Sequence, residues 1–289
     1  MTNLRHHVFV LPGLANSRLA SDAQLTNGGS TTHFDVYYDN SLGANGKTLA
    51  AAVLATCEAD YDSLQNWFGG ITPGGLPFTV NIVPGNGGAS HASCSATTLT
   101  CDAFSGTDSD LVRMLVVAEE DEVFMANQGK GWDCGASNGE GLSRILAAEI
   151  YPAELNGFAS AATWLSTDPR PDFVSKVDPT DTNYISIGCS VLFINYLRFQ
   201  LGFSLGEIVQ AGGATLEDTY EKLTGKTGGF APFAALLQRH FPVGTAITLD
   251  NDNPFPLYDG SLEGYFLGGH SSTQVMVCKH RPKTAAPLA

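Results

Sequence analysis

Four consecutive acids, Glu119, Glu120, Asp121 and Glu122, stand inside the apolar run VVAEEDEVFM at residues 116–125. An ionised carboxylate taken out of water requires a cation, a hydrogen-bond donor or a shared proton, so acids held in such a run point to metal binding or to acid and base chemistry. On a helix, Glu119 and Glu122 are three apart and share a face, while Glu120 and Asp121 point elsewhere. Downstream, SNGEGLSRILA at 137–147 supplies Glu140, and Arg144 follows it by one helical turn as a ready partner.

Glu119, Glu122 and Glu140 meeting in a poorly solvated place repel one another, and without a cation at least one of them keeps its proton. Ligation by oxygen alone selects a hard divalent cation, Ca²⁺, Mg²⁺ or Mn²⁺, over zinc, and beside such an ion Glu120 could activate a bound water. The alternative needs no cofactor: a polar network in which Glu119, Glu122 and Glu140 pair with Arg113, Arg144 and backbone donors. That network is the expected state.

Other residues carry less chemistry. His91 in GGASHASC is a candidate ligand or catalytic group, although a lone loop histidine is usually solvated; His6, His7, His33, His270 and His280 have no partners at metal spacing. Ser90 and Ser143 lack the G-x-S-x-G context of a hydrolase elbow, and no G-x-G-x-x-G follows a strand. LDNDNPFPLYDG (249–260) is acid-rich without the spacing of an EF-hand. Trp132 and Trp164 read as core. Cys94 and Cys101 could close a small loop in an oxidising compartment, and the four scattered cysteines show no C-x-x-C spacing.

The elements that must position these residues follow from periodicity. HFDVYYD (33–39) alternates like a strand, residues 47–68 repeat like a helix, and LPFTVNIVPG (76–85) reads as a second strand. That order gives a twisted sheet with a helix across one face. Asp108 or Ser109 caps a helix reaching about Asn127 that is apolar nearly all round and therefore central. A Gly-rich loop leads to EGLSRILAAEIYP, stopped by Pro152. From about Asn156 the chain reads as helical through FAPFAALLQRHF, with short strands or an ordered loop from 246 to 283. The fold class expected is α+β, with a sheet-containing lobe over 1–128 and a mainly helical lobe over 129–289.

This layout resembles the gluzincin metallopeptidases, of the aminopeptidase N and thermolysin type, over residues 33–240. SNGEGLSRILA looks like the family's N-E-G signature, with Glu140 in the position of the third zinc ligand, and VVAEEDEVFM aligns with its V-V-A-H-E-x-x-H run. The resemblance implies zincin-like active-site helices, Glu120 as the general base, Tyr184 in TNYISIG as the candidate catalytic tyrosine, and GGASHASC on an edge strand lining a substrate cleft. The ligands depart from the pattern: Glu119 replaces the first histidine and Val123 the second. No histidine lies between His91 and His240, so the two-histidine zinc shell cannot form from this segment. The resemblance thus implies an altered or inactive peptidase binding a peptide or other small ligand in its cleft; the alternative is a working hydrolase, peptidase or glycosidase-like, with a carboxylate site.

The whole chain sets the outer bounds. With 289 residues and 43% apolar content it can bury a large core. Its 15 basic residues against 29 acidic ones repel nucleic-acid phosphates and anionic lipid. No stretch approaches the roughly 20 apolar residues of a membrane span, and MTNLRHHVFVLPGL has too short an apolar core for a convincing signal peptide.

Overall fold

The computed structural model describes residues 7–9, 24–152 and 161–244. The fold is α+β. Six strands, β1 (His7–Phe9), β2 (Leu25–Ser30), β3 (Phe34–Asp39), β4 (Phe78–Pro84), β5 (Ala89–His91) and β6 (Thr98–Ala103), form one mixed sheet in the order β1-β5-β6-β4-β3-β2. The inner strands β3, β4 and β6 are parallel, while β2, β5 and β1 pair antiparallel. A parallel β3–β4 pair demands a crossover, and helix α1 (Gly43–Trp67) supplies it. Along the central strands alternate residues face the helices: Phe34 and Val36 on β3, Phe78, Val80 and Ile82 on β4, and Leu99 and Cys101 on β6 are all buried.

Helix α2 (Ser109–Gln128) packs against α1, β5 and β6 and against α3 (Ser137–Ile150). Asp108 caps it, accepting from the Asp110 amide at 2.9 Å, and Gly129 ends it in the left-handed conformation, donating its amide to the Met125 carbonyl. The last four helices of the lobe beyond α3 include α5 (Tyr184–Phe199), which packs on α3 and on the short α4 (Ala161–Leu165), and then α6 (Leu205–Ala211), α7 (Leu216–Thr224) and α8 (Phe230–His240). Capping boxes at Ser204/Glu207 and Thr215/Asp218 set the starts of α6 and α7. One buried core runs from Phe34 to Phe241, taking residues from both sides of position 128. Trp132 and Trp164 fill it, with the Trp132 indole N–H donating to the Val209 carbonyl at 2.9 Å and that of Trp164 to Pro171 at 2.8 Å.

The structure corrects two expectations. GGASHASC does contain a strand, β5, but β1 pairs along its outer side, so β5 is not the edge among the described residues. Strand β2 lies in a stretch, LTNGGS, with no apolar alternation, whereas β6, TLTCDA, alternates, buries Leu99, Cys101 and Ala103, and is held by neighbours on both sides. Cys101 sits unpaired and buried on β6, and the disulfide is Cys94–Cys134, with Cα atoms 5.8 Å apart. It ties the loop after β5 to the loop between α2 and α3. The proposed strands of 246–283, the acid-rich 249–260 loop, His270 and His280 lie outside the described residues.

Candidate functional site

Glu119, Glu120, Asp121 and Glu122 are all buried, as α2 requires once it is surrounded by helix and sheet. Their side chains divide between two sides of the helix. Glu119 and Glu122 face β5 and α3, where His91, Glu140 and Arg144 complete a cluster of five buried ionisable groups. His91 Nε2 lies 2.8 Å from Glu122 Oε2 and 3.8 Å from Glu119 Oε2. Glu140 hydrogen-bonds the Glu122 carboxyl, and the Arg144 guanidinium grips Glu140 through both its carboxylate and, at 3.0 Å, its backbone carbonyl. The result is a continuous polar chain, His91 to Glu122 to Glu140 to Arg144, spanning β5, α2 and α3.

Proton placement along this chain follows from burial. Loss of water pushes the Glu119, Glu122 and Glu140 carboxyls well above the usual range, with their mutual repulsion adding to the rise at Glu119 and Glu140 and Arg144 opposing it at all three. Burial lowers His91, so its ring is neutral. Its Nδ1–H donates to the Ala96 carbonyl at 3.4 Å, leaving Nε2 to accept the proton of the Glu122 carboxyl. Arg144 is the cation that faces these carboxyls. Glu119 Oε2 is fully buried and has no hydrogen-bond partner.

Glu120 stands apart from this arrangement, whereas its neighbour Asp121 feels the charges of Glu122 and Glu140. The charges Glu120 senses are Asp60 and Glu58 on α1 and its neighbour Asp121, and it acts in turn on Cys57 and Tyr61 of α1. Neither oxygen of either residue has a hydrogen-bond partner, and burial, first of all, pushes both carboxyls well up. Beside Glu120, Asp60 accepts from Tyr151 at 2.7 Å, and Tyr151 in turn meets Thr56 at 2.9 Å. Glu120 is therefore placed toward α1, away from the centre at which a water-activating base was expected.

Two glycines explain how α3 comes close enough. A Cβ on Gly139 would meet the Asp133 carbonyl oxygen at 2.1 Å, and one on Gly141 would meet Ser190 Cβ on α5 at 2.5 Å. The N-G-E-G stretch thus lets the helix seat against the backbone around Cys134 on one side and α5 on the other. Asn138 locks the same turn, donating to the carbonyls of Gly131 at 3.0 Å and Gly213 at 3.3 Å.

Of the expected site residues, the fold brings together Glu119, Glu122, Glu140, Arg144 and His91. Tyr184, the first residue of α5, is half-buried and close enough to feel Arg144 and Glu140. Arg113 does not join: it pairs with Asp110 at 3.0 Å near the start of α2, two helical turns before Glu119. Sequence reasoning missed Asp181, whose charge reaches Glu119, Glu122, Glu140 and Tyr184, and it missed Cys134. No local signal marked Asp181; Cys134, three residues before α3, was one of four cysteines with no spacing to recommend a partner.

A two-histidine zinc shell does not fit these residues. Val123, at the second ligand position, has no donor atom and is buried in the core, and Glu120 faces α1. No protein-family model matches the chain, and no curated protein does.

Proposed function

We propose that this chain is a gluzincin-type, metallopeptidase-like protein that has exchanged the zinc shell for a proton-sharing network and that binds a peptide or another small ligand in its cleft without zinc-dependent hydrolysis. The observation that supports this reading most is the juxtaposition of Glu119 on α2 with Glu140 on the neighbouring α3, joined through Glu122, His91 and Arg144. Two positions that resemble zinc ligands lie in one buried cluster, and the cluster is largely satisfied by its own members. A guanidinium in contact with the third ligand position supplies the positive charge that a metal would bring, so the acids are accommodated without one.

A second reading has one observation of its own. Glu119 Oε2 is buried, aimed at the cluster and without a hydrogen-bond partner, the condition in which a hard divalent cation would be welcome. On that reading the protein is a hydrolase with a carboxylate site, peptidase or glycosidase-like.

The test uses the disulfide-bonded protein purified without chelator, its metal content measured by mass spectrometry and its cleavage of a mixed peptide and glycoside panel followed with and without EDTA. The proposal expects no stoichiometric metal and no chelator-sensitive cleavage. Stoichiometric metal together with cleavage that EDTA or Glu119→Gln abolishes would overturn it in favour of the second reading. Zinc with cleavage abolished by Glu120→Gln would restore a working zinc-type peptidase.

A further inference from the structure

The disulfide adjoins the polar cluster. Cys134 Sγ, a ring nitrogen of His91 and a carboxylate oxygen of Glu122 lie within 4.8 Å of one another, and all three residues are buried. We propose that reduction of the Cys94–Cys134 disulfide turns this corner into a binding site for a borderline-soft divalent cation, Zn²⁺ above all, with Cys134, His91 and Glu122 as its ligands. The site uses neither Glu119, Val123 nor Glu140, the positions that resemble a peptidase zinc shell.

The donor set carries the assignment. One thiolate sulfur, one imidazole nitrogen and one carboxylate oxygen are the ligands zinc takes, and three protein ligands leave a fourth position for water or a further donor. Cys94 and Asp133 form an adjoining group with Cys134 within the same 4.8 Å and stand on the more exposed side, where either can close the shell. The histidine is already oriented: its Nδ1–H is held by the Ala96 carbonyl, the outer-sphere arrangement that fixes a metal-binding ring with Nε2 directed inward. Glu122 Oε2 already lies 2.8 Å from that nitrogen, so a cation would replace the proton between them. The neighbouring Glu119 and Glu140 make the surroundings favourable to positive charge.

While the disulfide is closed, Cys134 has no thiolate to offer. A dithiol reductant opens it, and the geometry sets the order of attack. Cys94 is partly exposed and Cys134 buried, so a reductant thiolate reaches Cys94 first, forming a mixed disulfide and expelling Cys134 as thiolate. The second reductant thiol then displaces Cys94, leaving the reductant oxidised to its own disulfide and the protein with two more electrons and two more protons. Cys134 departs into acidic surroundings that disfavour a bare thiolate; Zn²⁺ captures it in place of its proton, which goes to solvent. Because the metal binds only the reduced form, zinc promotes reduction and reduction promotes zinc binding, by the same factor.

Cobalt(II) is the probe, since a bound thiolate gives a sulfur-to-cobalt charge-transfer absorption. The Cys94→Ser variant, which cannot close the disulfide, is expected to bind one Co²⁺ per chain with that absorption and without reductant, and to yield the ion to Zn²⁺. Wild type is expected to show it only after reduction with a phosphine. The Cys94→Ser/Cys134→Ser protein should lose the charge-transfer band, and His91→Ala in the Cys94→Ser background should weaken binding at least tenfold. A folded Cys94→Ser protein and a reduced wild type that both lack the band would overturn the proposal. So would a band that survives in the double variant, which would move the thiolate to Cys57, Cys101, Cys189 or Cys278. Reduced wild type decides alone should Cys94→Ser not fold. Peptide cleavage by the oxidised protein bears on the proposed function and not on this site.

Discussion

His91 and Glu122, 31 residues apart in sequence, meet at 2.8 Å in the interior, one at the end of a strand and the other in the fourth turn of a helix. The contact places a neutral imidazole against a carboxyl that holds its proton, and it makes β5 part of the centre that α2 and α3 form.

Arg144 is the cation on which the buried acids depend. Arg144→Ala leaves Glu140 and its neighbours uncompensated, and equilibrium denaturation should show a loss of about 3–5 kcal/mol, the range for breaking a buried pair, where an exposed pair would cost at most ~1 kcal/mol. A variant as stable as wild type would mean that the acids are solvated.

Stability should fall as pH rises. The carboxyls of Glu119, Glu120, Asp121, Glu122 and Glu140 all titrate well above their ordinary values in the fold, so the stability they contribute is complete below the unfolded-chain range near 4–4.5 and is lost as pH climbs through their raised values. His91, lowered by burial, acts oppositely, adding stability as pH rises toward its unfolded value of 6.5, but it is one group against five. Melts from pH 4 to 8 that rise monotonically would contradict this.

Glu120→Gln and Asp121→Asn isolate the part of that effect due to acids without hydrogen-bond partners. Each removes an acid that has no hydrogen-bond partner and must keep its proton, so each should raise the melting temperature at pH 7 and flatten the pH dependence. A lower melting temperature for both would show that the ionised forms are held by partners.

Gly139→Ala should destabilise strongly. The added methyl would stand 2.1 Å from the Asp133 carbonyl oxygen, a backbone atom that cannot step aside, and overpacking of this kind costs about 1–3 kcal/mol or more. The same substitution should weaken the Cys94–Cys134 pairing, read as faster reaction of the cysteines with a thiol reagent.

Added Ca²⁺ or Mn²⁺ separates the two functional readings by mass action. A self-satisfied network should leave the melting temperature of the oxidised protein unchanged, whereas a carboxylate cation site should raise it with ion concentration.

Much of this fold is legible from periodicity. The 3.6-residue repeat of α1, the all-round apolar α2 and the helices from α5 to α8 announce themselves because each must bury a face, and β3 and β4 alternate for the same reason. Strand β2 does not, since pairing with β3, not composition, makes it a strand. At the site, the three-residue spacing of Glu119 and Glu122 and the four-residue spacing of Glu140 and Arg144 could be read because they are helical neighbours. His91 could be named as a candidate by its residue type but not joined to Glu122, and Asp181 and Cys134 could not be read at all, because these contacts arrive through tertiary packing. Burial, the condition that distinguishes His91 from an ordinary loop histidine, is set by α2 and has no trace in GGASHASC.

Helix α3 is seated through Gly139 on one flank and Gly141 on the other, with backbone or a short side chain pressed against each. Such a helix can neither slide nor roll without one glycine losing its fit, so the interval between Glu140 and the acids of α2 is fixed like the gap of a vice. Evolution working on this centre can change its chemistry only by exchanging the side chains that project into that gap, and a single substitution at Glu119, Glu122 or Glu140 has a direct effect, because the frame around it has no slack with which to absorb the change.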